Sequence, residues 1–75
     1  MVKISYTQHA LDVMAERMIS KELVESTVIN PDWEESEAAE IWNAFRRIHR
    51  KVLRVVIKGR KSHIVITTYY DRRKK

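Results

Sequence analysis

Hydrophobic and polar residues alternate most regularly between Val52 and Tyr70, and this alternation predicts a β-hairpin. In the predicted first strand, apolar residues alternate with residues that are mostly basic, namely Leu53, Val55 and Ile57 with Arg54, Val56 and Lys58. The segment Gly59-Arg60-Lys61 contains the only glycine of the chain and marks the turn. The predicted second strand has two alternating sets of side chains, which are Ile64, Ile66, Thr68 and Tyr70 on one face and His63, Val65, Thr67 and Tyr69 on the other.

The length of the turn decides which faces of the two predicted strands coincide. A loop of two or four residues places Leu53, Val55 and Ile57 on the same face as Ile64 and Ile66, whereas a loop of three residues without a bulge does not. We therefore expect one face to form the core and the other face to gather polar groups, which are Arg54, Lys58, His63, Thr67 and Tyr69.

The N-terminal half shows helical spacing. Apolar positions in Gln8–Arg17 recur every three or four residues, and Thr7 is the predicted N-cap. Ser20 is the predicted N-cap of a second helix, Lys21–Ile29, which ends at Asn30-Pro31 because a residue before proline is pushed out of helical geometry. Before Thr7, the apolar residues alternate over a segment too short to tell a brief edge strand from an extended lead-in; they are Val2, Ile4 and Tyr6.

The middle of the chain permits two interpretations. The acidic segment 32–40 is compatible with a short strand followed by a loop, and Ile41–Ile48 fits an amphipathic helix slightly better than a strand. We prefer the strand, because residues 49–51 then form a hairpin loop into Val52 and the hairpin gains the third strand that it needs for stability. Pairing Phe45 with Val55 would place Arg46 beside Arg54, where two like charges repel unless an anion lies between them.

These elements predict one α+β domain that spans residues 1–75. Its expected architecture is two N-terminal helices packed on a three- to four-stranded antiparallel sheet. The chain has no cysteine, which excludes a disulfide framework and a zinc site with thiolate ligands. It has no signal peptide and no apolar run long enough to cross a bilayer, so we expect a cytoplasmic protein without a membrane partner.

Charge is distributed unevenly along the chain, whose formal net charge is +5. Acidic residues concentrate before residue 41, and only Asp71 follows. The basic residues of the second half are Arg46, Arg47, Arg50, Lys51, Arg54, Lys58, Arg60, Lys61, Arg72, Arg73, Lys74 and Lys75. This asymmetry predicts a positive field on one side of the fold, which suits phosphates or an acidic protein, although a solvated basic surface explains it equally well.

The residue types limit the chemistry that we expect. His9, His49 and His63 are far apart in sequence and have no carboxylates near them, so we expect no metal site and no cofactor. A single glycine excludes a glycine-rich phosphate loop. Histidine, arginine and tyrosine together suit metal-independent RNA cleavage, which needs a base, an acid and a cation for the charge on phosphorus.

Spaced motifs extend the argument over nearly the whole chain. They are Thr7-Gln8-His9-Ala10, Met14, Glu16-Arg17, Ile19-Ser20, Asn30-Pro31, Leu53-Arg54-Val55-Val56 and Ile66-Thr67-Thr68-Tyr69. In these motifs the chain resembles a widespread bacterial family of uncharacterised small domains that is similar to the RelE/ParE/BrnT toxins of type II toxin–antitoxin systems. The resemblance implies two helices on a small antiparallel sheet and, for many members, metal-independent cleavage of mRNA, often at the ribosome. The chain departs from the family at Met18, where the family usually has glycine.

The resemblance also implies a set of site residues. His9, Arg54 and Tyr69 are the candidate catalytic residues, for proton transfer, phosphate binding and orientation or stacking of the base. Arg17 and Thr67 are candidate substrate-binding residues by resemblance, and Arg46 is a third because of its expected place beside Arg54. Thr67 and Tyr69 are also good strand formers, so β-propensity explains them without a function.

The basic face and the family resemblance together predict the partners. They are RNA, which includes ribosome-bound mRNA, and an acidic antitoxin protein. Two alternatives use the same basic face without catalysis: a protein-interaction module that binds an acidic partner, and a module that binds nucleic acid without turnover.

Overall fold

Two helices pack on one face of a five-stranded sheet in the computed structural model, which describes residues 3–73. The elements in chain order are β1 (Lys3–Tyr6), α1 (Gln8–Arg17), α2 (Lys21–Ile29), β2 (Trp33–Ala38), β3 (Ile41–Ile48), β4 (Lys51–Lys58) and β5 (Ser62–Tyr70). The predicted α+β class and both predicted helices are confirmed. Val2, which the sequence analysis included in a possible edge strand, lies outside the described residues.

The sheet is larger than predicted and is mixed. The strand order is β1-β5-β4-β3-β2, and β1 runs parallel to β5 while the other neighbours are antiparallel. The expectation of three or four antiparallel strands was therefore wrong. After β1 the two helices carry the chain to the far edge of the sheet, and three successive hairpins then return β5 to the side of β1. Strand direction at that junction depends on the whole path, which a local pattern does not encode.

Caps and a turn motif fix the two helices. The hydroxyl of Thr7 accepts a hydrogen bond from the Ala10 N–H at 3.0 Å, and the hydroxyl of Ser20 accepts one from the Leu23 N–H at 3.1 Å. Both predicted N-caps are thus confirmed. At the end of α1, the N–H of Met18 donates to Ala15 and that of Ile19 donates to the carbonyl of Met14, which is the Schellman pattern.

The core fills the space between the helices and the sheet. Its buried residues are Ala10, Met14, Ile19, Val24, Val28, Trp42, Ala44, Leu53, Val55, Ile57 and Val65. Trp42 is the largest side chain among them. Both helices contribute to this cluster, so neither depends on its intrinsic helical stability.

A β-bulge changes the predicted faces of β5. Val56 pairs with Thr67 but Ile57 pairs with Val65, so Ile66 is an extra residue opposite β4. Val65 is therefore fully buried in the core while Ile64 is 38% exposed, the reverse of the prediction for these two residues. His63 is buried rather than exposed on the polar face, and its Nδ1 lies 3.0 Å from the carbonyl oxygen of Gly59.

The segment Ile41–Ile48 is a strand, as preferred, but its predicted register was wrong. Phe45 pairs with Arg54, and Arg46 pairs with Leu53. The loop to β4 contains two residues rather than three, because Lys51 already pairs with Ile48. This difference of one residue places Arg46 and Arg54 on opposite faces of the sheet, so the expected pair of adjacent arginines does not form.

Neither helix among residues 3–73 has the length and apolar character that a membrane crossing requires.

Candidate functional site

The predicted site residues lie in three separate regions. Arg54, Thr67 and Tyr69 lie on the face of the sheet that the helices leave uncovered, which we call the open face. Arg46 lies on the helix-covered face, where its guanidinium donates to the hydroxyl of Ser26 at 2.9 Å. His9 and Arg17 lie on α1 and are exposed. The structure therefore brings Arg54 and Tyr69 together but places His9 and Arg46 on the other side of the sheet.

Four side chains form a row across the open face, which we call the aromatic row: Trp33, Phe45, Arg54 and Tyr69. Each is paired with the next through the register of β2 to β5. The Trp33 and Phe45 rings are stacked, with centroids 4.9 Å apart and planes 5° apart. The Arg54 guanidinium carbon lies 5.4 Å from the Phe45 centroid and 5.8 Å from that of Tyr69. Phe45 is fully buried in this row although no helix covers it.

The guanidinium of Arg54 is already occupied by protein groups. It donates to Asn43 Oδ1 at 3.0 Å and to Asp71 Oδ2 at 2.9 Å, and it lies 3.5 Å from Glu37 Oε1. Asn43 and Asp71 are buried, so these contacts satisfy polar groups that would otherwise be costly to desolvate. Arg54 thus stabilises the open face, and the carboxylates of Asp71 and Glu37 stand where a bound phosphate would have to be.

Asp71 joins this network to the C-terminal end of β5. Burial acts to raise the pKa of its carboxyl group, but hydrogen bonds from the Arg73 N–H and from Arg54 outweigh burial. The pKa of Asp71 is therefore lower than its ordinary value of 3.8, and the group is ionised at neutral pH.

Two residues of the spaced motifs, Thr7 and Thr68, have structural roles. Besides capping α1, the hydroxyl of Thr7 donates to the carbonyl of Ile66 at 2.9 Å, and Ile66 is the extra residue of the bulge. The hydroxyl of Thr68 donates to the carbonyl of Arg54 at 2.9 Å and is buried. Packing and hydrogen bonding explain these two positions without catalysis.

His9 is isolated within the part of the chain that the structure describes. Its side chain is exposed on the first turn of α1 and makes no hydrogen bond or ion pair with residues 3–73. Proton transfer by His9 to a substrate held by Arg54 would require the substrate to reach around the edge of the sheet. The geometry therefore does not assemble His9, Arg54 and Tyr69 into one site.

A cavity of about 610 Å³ lies at the end of the sheet that carries the β3–β4 hairpin, and we call it the basic cavity. The end of α1, the β3–β4 hairpin and the end of β5 form its walls. The residues that line it are Arg17, Arg47, His49, Arg50, Lys51, Val52, Tyr70, Asp71 and Arg72. Of the predicted site residues only Arg17 is among them. The volume falls in the range of about 300–1,000 Å³ that is typical of ligand-binding pockets.

The electrostatics of the basic cavity favour an anion. Among the residues that the structure describes, four arginines and one lysine line it, and Asp71 is the only carboxylate there. Asp71 accepts hydrogen bonds from Arg54 and from the Arg73 N–H. Converging cations in a recess raise the local concentration of anions more than the same charges spread over a flat surface. The guanidinium forks match phosphate oxygens in a bidentate geometry.

The shape of the β3–β4 hairpin places a histidine in this cavity. His49 adopts φ 58° in the two-residue turn, a conformation that non-glycine residues seldom adopt. Beside it, the Lys51 ammonium lies 5.1 Å from the centroid of Tyr70. An imidazole, a phenol and several cations thus share one cavity, which supplies the group types that proton transfer at a phosphate requires.

Most of these residues were not singled out from the sequence. The signal that could have identified them is the dense basic run from Arg46 to Lys51, which includes the predicted turn and was interpreted only as general positive charge. Arg17 and Arg72 come to the same place from distant segments, and only the tertiary fold brings them together. Within residues 3–73, no cluster of three or more potential metal ligands is present.

Comparison with known protein families assigns the chain to one of them. Residues 6–71 match the family described as Domain of unknown function (DUF4258), and the chain belongs to that family of uncharacterised small domains. No curated protein and no solved structure shows significant similarity to it.

Proposed function

We propose that this domain binds RNA through the basic cavity and cleaves it without a metal ion, as a toxin of the RelE/ParE/BrnT type would. The observation that carries the proposal is the convergence of four arginines, a lysine and His49 in one cavity. The spaced motifs resemble a family of small domains that is similar to these toxins, and this resemblance supports RNA as the nucleic acid.

In this proposal Arg17 and Arg47 hold the phosphate and His49 takes the place that the resemblance gave to His9. The ribose 2′-oxygen attacks the adjacent phosphorus while His49 accepts its proton, and the bond to the 5′-oxygen breaks. The products are a 2′,3′-cyclic phosphate and a 5′-hydroxyl, whose proton comes from solvent. The guanidinium groups stabilise the additional negative charge that develops on the phosphoryl oxygens.

Cleavage is tested with a 5′-labelled single-stranded RNA incubated with the protein in excess EDTA. We expect a 2′,3′-cyclic phosphate product, and we expect His49→Asn to lower the cleavage rate by about 100-fold or more while RNA binding persists. Asparagine tolerates the positive φ of the turn, so this substitution preserves the hairpin.

His9→Asn is the matched control, because it removes the exposed imidazole of α1 and should leave the rate unchanged. A rate that depends on His9 and not on His49 would contradict the assignment of the cavity as the reaction site. RNA binding without any cleavage, by the free protein or on ribosome-bound mRNA, would contradict the enzymatic half of the proposal and leave the binding half standing.

An acidic protein is the second candidate ligand of this surface. Met18 is 91% exposed and follows Arg17 directly, so an apolar anchor stands beside a cation of the cavity. An acidic amphipathic segment, such as that of an antitoxin, would complement both. If the protein arrests growth when expressed and a small acidic protein encoded beside it relieves the arrest, Met18→Asp, which removes the apolar anchor and keeps the cations of the cavity, should abolish that relief while the arrest persists.

A further inference from the structure

Arg47 belongs to two features at once. Arg47 is one of the residues that line the basic cavity, and its guanidinium carbon lies 5.5 Å from the centroid of the Trp33 ring. The side chain is exposed, whereas its backbone N–H is fixed by a hydrogen bond to Asp32 Oδ2 at 2.8 Å. The guanidinium can therefore change its position without any change in β3.

Two contacts fix the orientation of the Trp33 ring, although the residue is partly exposed. One face of its ring stacks on Phe45, and its indole N–H donates to Glu35 Oε2 at 3.1 Å. It lies on β2, which is an edge strand of the sheet and pairs only with β3 among the described residues. A flat aromatic surface with a fixed orientation thus stands at the rim of the molecule, next to the wall of the cavity.

We propose that Trp33 is a nucleobase-stacking site adjoining the basic cavity, so that the ligand is a single strand with an unpaired base next to the bound phosphate. This inference rests on the proposed function. The base takes the position that the Arg47 guanidinium occupies over the ring, and the guanidinium turns to the phosphate in the cavity.

The exchange is favourable on physical grounds. An exposed cation–π contact is a weak interaction, whereas stacking of a base on an aromatic side chain is stronger and every base has a face that can stack. Arg47 does not lose an attractive partner in the exchange, because a phosphate replaces the ring. Bases within a duplex are already stacked on both sides and cannot take this position without unpairing.

The experiment measures the affinity of an octameric single-stranded oligouridylate, 2′-O-methylated so that it cannot be cleaved, and, separately, of inorganic polyphosphate for the full chain. Trp33→Leu keeps an apolar cover over Phe45 but removes the indole. We expect it to weaken oligouridylate binding by about 5-fold to 100-fold and to leave polyphosphate binding unchanged, while Trp33→Phe recovers part of the loss. Circular dichroism and thermal unfolding of each variant verify that the fold persists.

Tryptophan fluorescence gives a second measurement on the unchanged chain. The indole of Trp33 is partly exposed and that of Trp42 is buried, so stacking should quench emission with oligouridylate and not with polyphosphate. The quenching should survive Trp42→Phe and vanish in Trp33→Leu.

The outcomes separate this inference from the proposed function. Oligouridylate binding that is equally tight in Trp33→Leu and causes no quenching would overturn the stacking site and leave the cavity assignment intact. A duplex that binds as tightly as the single strand would also overturn it. Failure of both oligouridylate and polyphosphate to bind at low salt would overturn the proposed function itself.

Discussion

Met18 is a residue whose local conformation costs stability. It ends α1 in the left-handed conformation, with φ 57° and ψ 41°, where a side chain is crowded and glycine is not. Its side chain is 91% exposed and so recovers little through burial. The sequence identified this position, because the resembling family usually has glycine there, and the structure supplies the reason.

We predict that Met18→Gly raises the free energy of unfolding by about 1 kcal/mol. For a chain of this size, that increase corresponds to a rise in Tm of roughly 4–8 °C. Met18→Ala is the control, since it shortens the side chain but keeps the strained backbone, and should change Tm by much less. A Met18→Gly variant that is less stable than the wild type in urea unfolding would refute this explanation.

At Gly59, in contrast to Met18, the residue type matches the backbone conformation, because a side chain would be both strained and crowded there. Its φ is +93°, and a Cβ at this position would lie 2.4 Å from the carbonyl oxygen of Ser62. Its own backbone N–H donates to the carbonyl of Glu40, and its carbonyl accepts from the indole N–H of Trp42 at 2.9 Å. One residue thus joins the β4–β5 loop to the β2–β3 turn and to the core.

We predict that Gly59→Ala lowers the free energy of unfolding by about 2–3 kcal/mol, because both the backbone strain and the clash must be relieved by movement of the loop. Lys61→Ala in the same loop is the control and should change it by less than about 0.5 kcal/mol. Urea titration followed by tryptophan fluorescence measures both. Equal stability of the Gly59→Ala variant and the wild type would show that the loop adapts without cost.

The element scale shows where local patterns fail. The alternation in β4 and β5 was sufficient to predict two strands, but not the bulge that exchanges the exposure of Ile64 and Val65. Likewise, a turn of two residues instead of three reversed the face of Arg46. Because side chains alternate with a period of two, any error of one residue moves a side chain through the sheet. Register depends on the partner strand and could not be inferred from either strand alone.

Thr7 ties α1 to the bulge, and its removal should loosen both elements. We predict that Thr7→Val, which keeps the shape and removes the hydroxyl, lowers the free energy of unfolding by about 1–2 kcal/mol through loss of the cap and of the bond to Ile66. Thr7→Ser keeps both hydrogen bonds and should recover most of this loss. Amide hydrogen exchange of Ala10 should accelerate in Thr7→Val; unchanged protection there would contradict the capping role.

At the scale of the whole molecule, the Arg54–Asp71 pair couples the sheet to the C-terminal end of β5. The folded-state pKa of Asp71 lies below its ordinary value of 3.8, so its contribution to stability is complete above that value and is lost as the pH falls through the lower, folded-state pKa. The unfolded state takes up the proton first, so we expect this pair to make the fold less stable in acid.

We predict that Asp71→Asn lowers the free energy of unfolding by about 1.5–3 kcal/mol at pH 6. The difference from the wild type should narrow as the pH falls below 3.8, where the wild type loses the same interaction. Urea unfolding between pH 2 and pH 6 measures both chains. Asp12→Asn, on the exposed face of α1, is the control. A difference that is constant with pH would exclude Asp71 as a source of acid sensitivity.

How much of the molecule could be predicted also depends on scale. The two helices and their N-caps follow from local patterns and were predicted, whereas the parallel β1–β5 pair depends on the path of the whole chain. The same holds for the site. Arg54 stands out in sequence because it interrupts an apolar strand, yet its partners are an amide and two carboxylates of the protein itself. The basic cavity draws on three segments that the sequence does not mark as neighbours.

The central claim is that the basic cavity neutralises phosphates, and the salt dependence of RNA binding tests it most directly. Arg50→Ala/Arg72→Ala removes two exposed cations of the cavity, and Lys58→Ala/Lys61→Ala removes two exposed cations at the opposite end of β4. If each arginine contacts one phosphate of a single strand, the slope of log K against log salt should fall in magnitude by about 1.4 for the first variant. The slope should stay at the wild-type value for the second, and equal slopes for the two variants would contradict the assignment.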